Sequence, residues 1–226
     1  MSEILKKEEL LTTPNEKATL YISNNKRYLF LKRSIDILGA LLGLAILSII
    51  FAIVAILIKI EDPKGPILFA QQRIGKDGKV FLMYKFRSMV TDAEALLESY
   101  LHKNEVDGAM FKMKDDPRVT KVGKFIRKTS IDELPQLINV LRGDMSLVGP
   151  RPPLSREVEK YSNYEKQRLL VTPGCTGIWQ ISGRSSIGFN EMVELDLKYI
   201  QDRNLWLDIK IICLTFKEFV GSKNAF

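Results

Sequence analysis

Asp132 and Glu133 stand side by side in Thr129-Ser130-Ile131-Asp132-Glu133-Leu134-Pro135-Gln136, with Arg127 and Lys128 just upstream and Arg142 and Arg151 downstream. A proline fits only the first turn of a helix, so a helix must start within a few residues of Pro135. Ser130 or Asp132 is then the N-cap, and Glu133 falls in the first turn. That placement suits a structural role, in which these side chains satisfy orphan amides and the helix dipole. It also suits phosphorus chemistry. A helix N-terminus attracts phosphate oxygens and favours an ionised carboxylate, the state in which an aspartate can attack. An adjacent glutamate can hold Mg²⁺, which usually takes one or two carboxylates plus substrate phosphates. The arginine forks nearby match phosphate oxygens.

Other charged residues belong to the same argument. Lys85 and Arg87, in Tyr84-Lys85-Phe86-Arg87-Ser88-Met89, leave the end of a predicted strand, where alternate residues project to one side and could share one pocket. A solvated strand face explains them as well. Arg151, in Gly149-Pro150-Arg151-Pro152-Pro153, is a cation on a stiff backbone, or part of a structural turn. Trp179 and Arg184 lie among Gly174, Gly177 and Gly183, where a tryptophan can stack on a nucleobase, sit at headgroup level or fill a core. His102 is the only histidine and lies in a polar helical stretch, so catalysis must rest mainly on carboxylates, lysine and arginine.

These groups must be positioned by a small domain and an unusual helix. Ile37 to Ile58 is 22 residues without a charge, with Ser48 its most polar member. As a helix it is about 33 Å long, enough to cross a bilayer. It starts too late and runs too long for a cleaved signal peptide. Lys26, Arg27, Lys32 and Arg33 precede it, and Lys59, Lys64, Arg73, Lys76 and Lys79 follow. Basic flanks on both sides give the positive-inside rule little asymmetry. A spanning helix and one that dips in and returns near Ser48 both remain open, the second aided by a serine bond back to the Leu44 carbonyl but lacking a proline to break the backbone.

The rest reads as α+β, mainly helical. Residues 1–30 read as a polar, partly disordered lead-in, 31–60 as the membrane helix and 61–221 as a catalytic domain. Ile67 to Gln71 and Val80 to Lys85 predict a β-hairpin around Gly75-Lys76-Asp77-Gly78. Helices are predicted over Thr91 to Lys103 (Thr91 and Glu94 forming a capping box), Val122 to Arg127, Leu134 to Leu141 and Glu157 to Val171. Phe189 to Gln201 and Leu207 to Val220 read as amphipathic helices suited to a membrane interface, while 143–153 and 173–186 read as loops. The formal charge of +7 suggests anionic partners. Nucleic acid is not expected, because no basic stretch alternates with aromatics and no zinc-finger spacing occurs. Two cysteines, Cys175 and Cys213, argue against a disulfide-stapled secreted domain.

At these residues the chain resembles the bacterial sugar transferases, the monotopic polyprenyl-phosphate phosphoglycosyl transferases of exopolysaccharide, capsule and O-antigen synthesis. The resemblance runs in order through Lys32-Arg33-Ser34-Ile35-Asp36, the Tyr84 to Met89 and Thr129 to Gln136 strings, Gly143 to Pro152, and Thr176-Gly177-Ile178-Trp179-Gln180, and covers roughly residues 30 to 220. It implies that Asp132 attacks the sugar-linked phosphate of a UDP-sugar and releases UMP. The phosphosugar then passes from Asp132 to undecaprenyl phosphate. Glu133 would bind Mg²⁺; Lys85, Arg87, Arg127, Arg151, Trp179 and Arg184 would meet the substrate; and Lys32, Arg33 and Ser48 would face the membrane and the lipid phosphate. Glucose or galactose 1-phosphate is the implied group, with N-acetylated sugars second. The implied setting is the cytosolic face of the bacterial inner membrane, with a homodimer compatible. The resemblance also tips the helix toward re-entry, although Ser48-Ile49 stands where family members often carry Ser-Pro. The multi-span domain that larger relatives carry ahead of this region is not expected in this sequence. Two other readings remain: a membrane-tethered phosphodiesterase that uses water as acceptor, and a non-catalytic basic protein of the membrane surface.

Overall fold

The computed structural model describes residues 25–104, 113, 115–183 and 187–221. The lead-in up to residue 24, most of the stretch 104–114, and Arg184 lie outside the described residues. The chain begins with α1 (Lys26–Glu61), a single helix capped by the Asn25 side chain, which accepts from the amides of Arg27 and Tyr28. It starts before the predicted 31–60 span because nothing between Lys26 and Asp36 opposes a helix. It ends at Asp62-Pro63, where Lys59 donates to the carbonyls of Pro63 and Gly65.

Next comes the hairpin of β1 (Leu68–Ile74) and β2 (Val80–Phe86), paired antiparallel from Leu68 opposite Phe86 to Ile74 opposite Val80. The turn is tightened by left-handed Asp77 and Gly78, with φ of +56° and +76°. After α2 (Ala93–Tyr100) come α3 (Lys121–Lys128), a 3-10 turn over Ile131–Glu133, and α4 (Gln136–Arg142). The predicted Thr91 cap is not used; Asp92 precedes α2 without a side-chain cap bond. Then follow β3 (Ser146–Val148), α5 (Ser155–Val158), α6 (Asn163–Lys166), β4 (Gly174–Thr176), α7 (Ile178–Ile181), α8 (Phe189–Asp202) and α9 (Leu205–Gly221).

Two predicted features are corrected. The helix expected over 157–171 is broken into α5, α6 and a 3-10 turn, because Ser162 and Glu165 form a capping box that starts a new helix. The expected loops at 143–153 and 173–186 contain β3 and β4, which pair in parallel. Their crossing is close: a Cβ on Gly174 would lie 2.0 Å from the Gly149 nitrogen, so only glycine fits there.

Packing joins α1 to the domain at two separate places. Ala40 is enclosed by Met83, Val140 and Met145, while Val54 and Ile58 are enclosed with Phe86 and Ile126. A third cluster, independent of α1, joins β3 to α8 and α9 through Val148, Val193, Leu197, Ile200 and Ile211. The opposite side of α1 is bare, with Leu38, Leu42, Ile46, Ile49, Ile53 and Ile60 all more than half exposed. Only 11% of its most apolar stretch is buried. A soluble protein does not present so long an apolar stripe to water, and this helix marks the chain as membrane-associated.

Candidate active site

Asp132 sits in the 3-10 turn between α3 and α4, a tight corner entered through Ser130 in the left-handed region at φ +53°. The strain of a non-glycine residue there costs roughly 1–2 kcal/mol and turns the chain so that Asp132 faces inward. Ser130 stands at the N-cap position of this turn, as the sequence allows, but its side chain makes no cap bond there. Asp132 is 8% exposed. Burial pushes its carboxyl up to about 6; Lys85 opposes that rise, Glu133 adds to it and Arg127 opposes it.

Glu133 points outward and pairs with Lys85, Nζ to Oε1 2.6 Å. This pair bridges β2 and the 3-10 turn. Asn139, fully buried on α4, ties the following helix to the same strand: its Oδ1 accepts from the Tyr84 amide, and its Nδ2 donates to the Leu82 carbonyl. The sequence placed Lys85 and Glu133 in one site without linking them; the clamp by Asn139 was missed. A buried asparagine inside an apolar helix, Leu137-Ile138-Asn139-Val140-Leu141, was the available signal.

The Pro-Arg-Pro loop comes near this corner through Arg73, whose charge feels both Arg151 and Glu133. Arg151 pairs with buried Glu157 at 3.0 Å, and its carbonyl accepts from Arg168, itself buried against Asp196. Arg73 was not foreseen. It donates to the Pro152 carbonyl and Gln71 Oε1, and the adjacent Ile74 amide donates to the Pro153 carbonyl. Burial, then the like charge of Arg151, pull the Arg73 guanidinium down to about 10, while Glu157 and Glu133 oppose this. Extending the expected first strand by two residues, from Gln71 to Arg73, would have put Arg73 on the strand, opposite Phe81.

Other predicted site residues lie elsewhere. Arg87 is buried and tied to both Asp62 side-chain and backbone oxygens, against Gly65, so it anchors the end of α1 instead of sharing a pocket with Lys85. Arg127 is exposed at the end of α3, close enough to Asp132 to act on its charge. Trp179 lies on α7 with its Nε1 buried and no acceptor among the described residues. Lys32 donates to the Val148 carbonyl and Asp208, and Arg33 to the carbonyls of Val140 and Leu141 at the C-terminal end of α4. Both therefore join α1 to the domain, which the expectation of free lipid-phosphate ligands did not include. Ser48 is exposed and bonds to the Ala45 carbonyl, not to Leu44, and α1 continues through it without a break. His102 is exposed, as expected.

A membrane helix, a hairpin and a buried aspartate flanked by basic loops define a membrane-associated protein built around one acidic corner. The chain belongs to the bacterial sugar transferase family, whose model matches residues 27–222. It is 53% identical over 191 residues to the galactosyl transferase CpsE of Streptococcus agalactiae serotype III, covering 84% of this chain and 42% of that protein. It is 42% identical over 219 residues to the undecaprenyl-phosphate galactose phosphotransferase of Salmonella typhimurium, 94% of this chain and 46% of that protein. The chain thus spans less than half the length of these two relatives. Against the exopolysaccharide production protein ExoY of Sinorhizobium fredii, it is 40% identical over 199 residues, 86% of this chain and 88% of that protein.

Proposed function

We propose that this chain transfers a sugar 1-phosphate from a UDP-sugar to undecaprenyl phosphate through a phosphosugar carried on Asp132. The observation that carries the reading is the burial of Asp132, which holds its carboxyl at about 6, beside the Lys85–Glu133 pair. At pH 7 such a carboxyl is still mostly ionised, and it is more basic than an ordinary aspartate, as a nucleophile should be. An Asp132 oxygen attacks the sugar-linked phosphorus, the bond to the bridging oxygen breaks, and UMP leaves with that oxygen. An oxygen of the lipid phosphate then attacks the same phosphorus and frees the Asp132 carboxylate. Arg127, Arg151 and Arg73 hold phosphate oxygens in line for both steps. Lys85 keeps Glu133 oriented.

The donor set fits Mg²⁺ that arrives with substrate. Glu133 is 44% exposed and its carboxylate lies on Lys85, so with a substrate diphosphate it would supply the kind of oxygen ligand Mg²⁺ takes. When bound, Mg²⁺ neutralises charge on the leaving phosphate. No cluster of three acidic, cysteine or histidine side chains able to hold a metal unaided occurs among the described residues.

The same reading places the domain on the cytosolic face of the bacterial inner membrane, where UDP-sugars are found, with α1 entering and leaving by that face. Arg33 binds the end of α4 and Glu61 caps α3 through the amides of Lys121 and Val122. These two residues are about 42 Å apart along a straight helix. A crossing helix would put them on opposite sides of a roughly 30 Å hydrocarbon core, yet one polar domain holds both. Between them, Ala45, Ile46, Ser48, Ile49 and Ile50 are all exposed, so the middle of α1 stands clear of the domain. The names of the first two relatives favour galactose 1-phosphate as the transferred group. A panel of UDP-sugars assayed for UMP release tests the whole reading. Release that depends on undecaprenyl phosphate, with the sugar recovered on lipid, is expected. Free sugar phosphate without lipid product would overturn it.

A further inference from the structure

Gln136 opens α4 and is buried, with 4% of its surface exposed. Its side-chain amide offers two N–H donors and a carbonyl oxygen, yet it makes no hydrogen bond among the described residues. A buried polar group left unpaired costs roughly 1–3 kcal/mol, and folded chains seldom keep one without a use for it. Asn139, one turn further along, shows the contrast: its amide is engaged by Tyr84, Leu82 and Asp144. The Gln136 amide is not sealed in either, unlike the unpaired Trp179 Nε1 and Gln180 Oε1. A solute can reach it.

The register of α4 against β2 places that amide. Asp132, Gln136 and Asn139 follow at i, i+4 and i+7, and all three are buried, so they form one inward stripe. The turn between the first two is unbroken, with Leu134 and Pro135 at φ −55° and −61°. Asn139 meets β2 at Leu82 and Tyr84, and Glu133 meets it further on, at Lys85. The two elements therefore run in opposite directions, and Gln136, midway between Glu133 and Asn139, faces β2 near Tyr84 and Lys85. Side chains four apart on a helix have Cβ atoms about 5–6 Å from each other. The Gln136 amide and the Asp132 carboxylate thus open on the same space, into which the Lys85 charge also reaches.

We propose that Gln136 is a catalytic residue whose Nε2 donates to a non-bridging oxygen of the phosphoryl group that Asp132 takes up. An attacking oxygen must come within about 3–3.5 Å of phosphorus. The non-bridging oxygens are bonded to that phosphorus, whereas the sugar ring lies beyond it, so a group one turn from Asp132 meets the phosphoryl oxygens first. Bonds form and break only at phosphorus, and the amide keeps its protons throughout. Lys85 is held by Glu133, and Gln136 adds a donor that carries no charge and needs no release from a partner. A donor fixed in place before the reaction acts on the transition state, where loss of one is typically worth about 100–1000-fold in rate.

This role rests on the transfer reading, and wild type serves as the control for that reading. The full chain in nanodiscs, in excess over the UDP-sugar and without undecaprenyl phosphate, reports attack by Asp132 as a single turnover of UMP release. Gln136→Met keeps the length of the side chain without the donor. It should slow that turnover about a hundredfold, leave KM for the UDP-sugar within about threefold, and leave the pH midpoint of about 6 in place. Should this variant not fold, Gln136→Glu, of the same shape and ionised at pH 8, should lose at least as much. An unchanged rate would overturn the role. So would a shifted pH midpoint, which would put the amide on the Asp132 carboxylate, or a loss confined to some UDP-sugars, which would put it on the sugar. A wild type that releases no UMP removes the transfer reading and this role together; a wild type that does, beside an unimpaired Gln136→Met, removes this role alone.

Discussion

Asp132→Asn should make the protein more stable and inactive, and the stability gain should depend on pH. An ordinary aspartate titrates near 3.8, whereas burial holds Asp132 at about 6. Because the folded-state value is raised, the protonated carboxyl stabilises the fold fully below 3.8, and that contribution is lost as pH rises through 6. At about 1.4 kcal/mol per pH unit, the ionised form is carried at a cost of about 3 kcal/mol at pH 8 and about 1 kcal/mol at pH 4.5. Asparagine keeps the shape without the charge, so it relieves up to those amounts. For a chain of this length 1 kcal/mol moves the melting temperature by about 2–4 °C. Thermal unfolding in lipid nanodiscs should show a rise of up to about 10 °C at pH 8, and of no more than about 4 °C at pH 4.5. UMP release should be absent in the variant, and wild-type turnover should fall as pH drops through about 6. An unchanged or lower melting temperature at pH 8, or a gain of the same size at both pH values, would refute the argument from burial.

Three further outcomes are expected. Glu133→Gln should lower turnover by more than the loss of a helix-start contact, about 1 kcal/mol, can explain, and should raise the Mg²⁺ concentration needed for half-maximal UMP release; an unchanged Mg²⁺ profile would leave Glu133 a structural role beside Lys85. Gly174→Ala forces a methyl group to within 2.0 Å of the Gly149 nitrogen, and should cost about 1–3 kcal/mol in chemical denaturation while raising KM for the UDP-sugar through the Arg151 loop. Single cysteines at positions 23 and 222, in a background without Cys175 and Cys213, should both resist a membrane-impermeant thiol reagent until cells are opened; labelling at 23 but not 222 would establish a crossing helix.

Local features were legible in the sequence for local reasons. The hairpin followed from a glycine turn between two β-prone runs, and the paired strands differ from the expected ones by three residues at most. α3, α8 and α9 follow from apolar periodicity. The acidic corner was found because Pro135 must stand near a helix start, a covalent constraint that no tertiary contact can remove. Ser162 and Glu165 were equally readable as a capping box and were overlooked within a charged run.

Tertiary structure decided which charges belong to the candidate site. Lys85 and Glu133 are 48 positions apart, and Arg33 meets Val140 across 107. Nothing in spacing assigns Lys85 to Glu133 and Arg87 to Asp62, since alternation on one strand treats the two cations alike. Their partners were chosen by how the hairpin lies against α4 and the end of α1, through Asn139 and the packing of Phe86 on Val54 and Ile58. Burial likewise became visible only after folding: the sequence marked Asp132 as a helix-start residue, and enclosure is what shifts its charge equilibrium. By itself the sequence determined an apolar helix, a hairpin and an acidic corner between basic segments, because periodicity, turn residues and proline act within a few residues. Which arginines bind carbonyls, which pair with carboxylates, and that one domain grips both ends of α1 were decided by long-range packing, where the energy of each pair depends on neighbours brought together only in the folded chain.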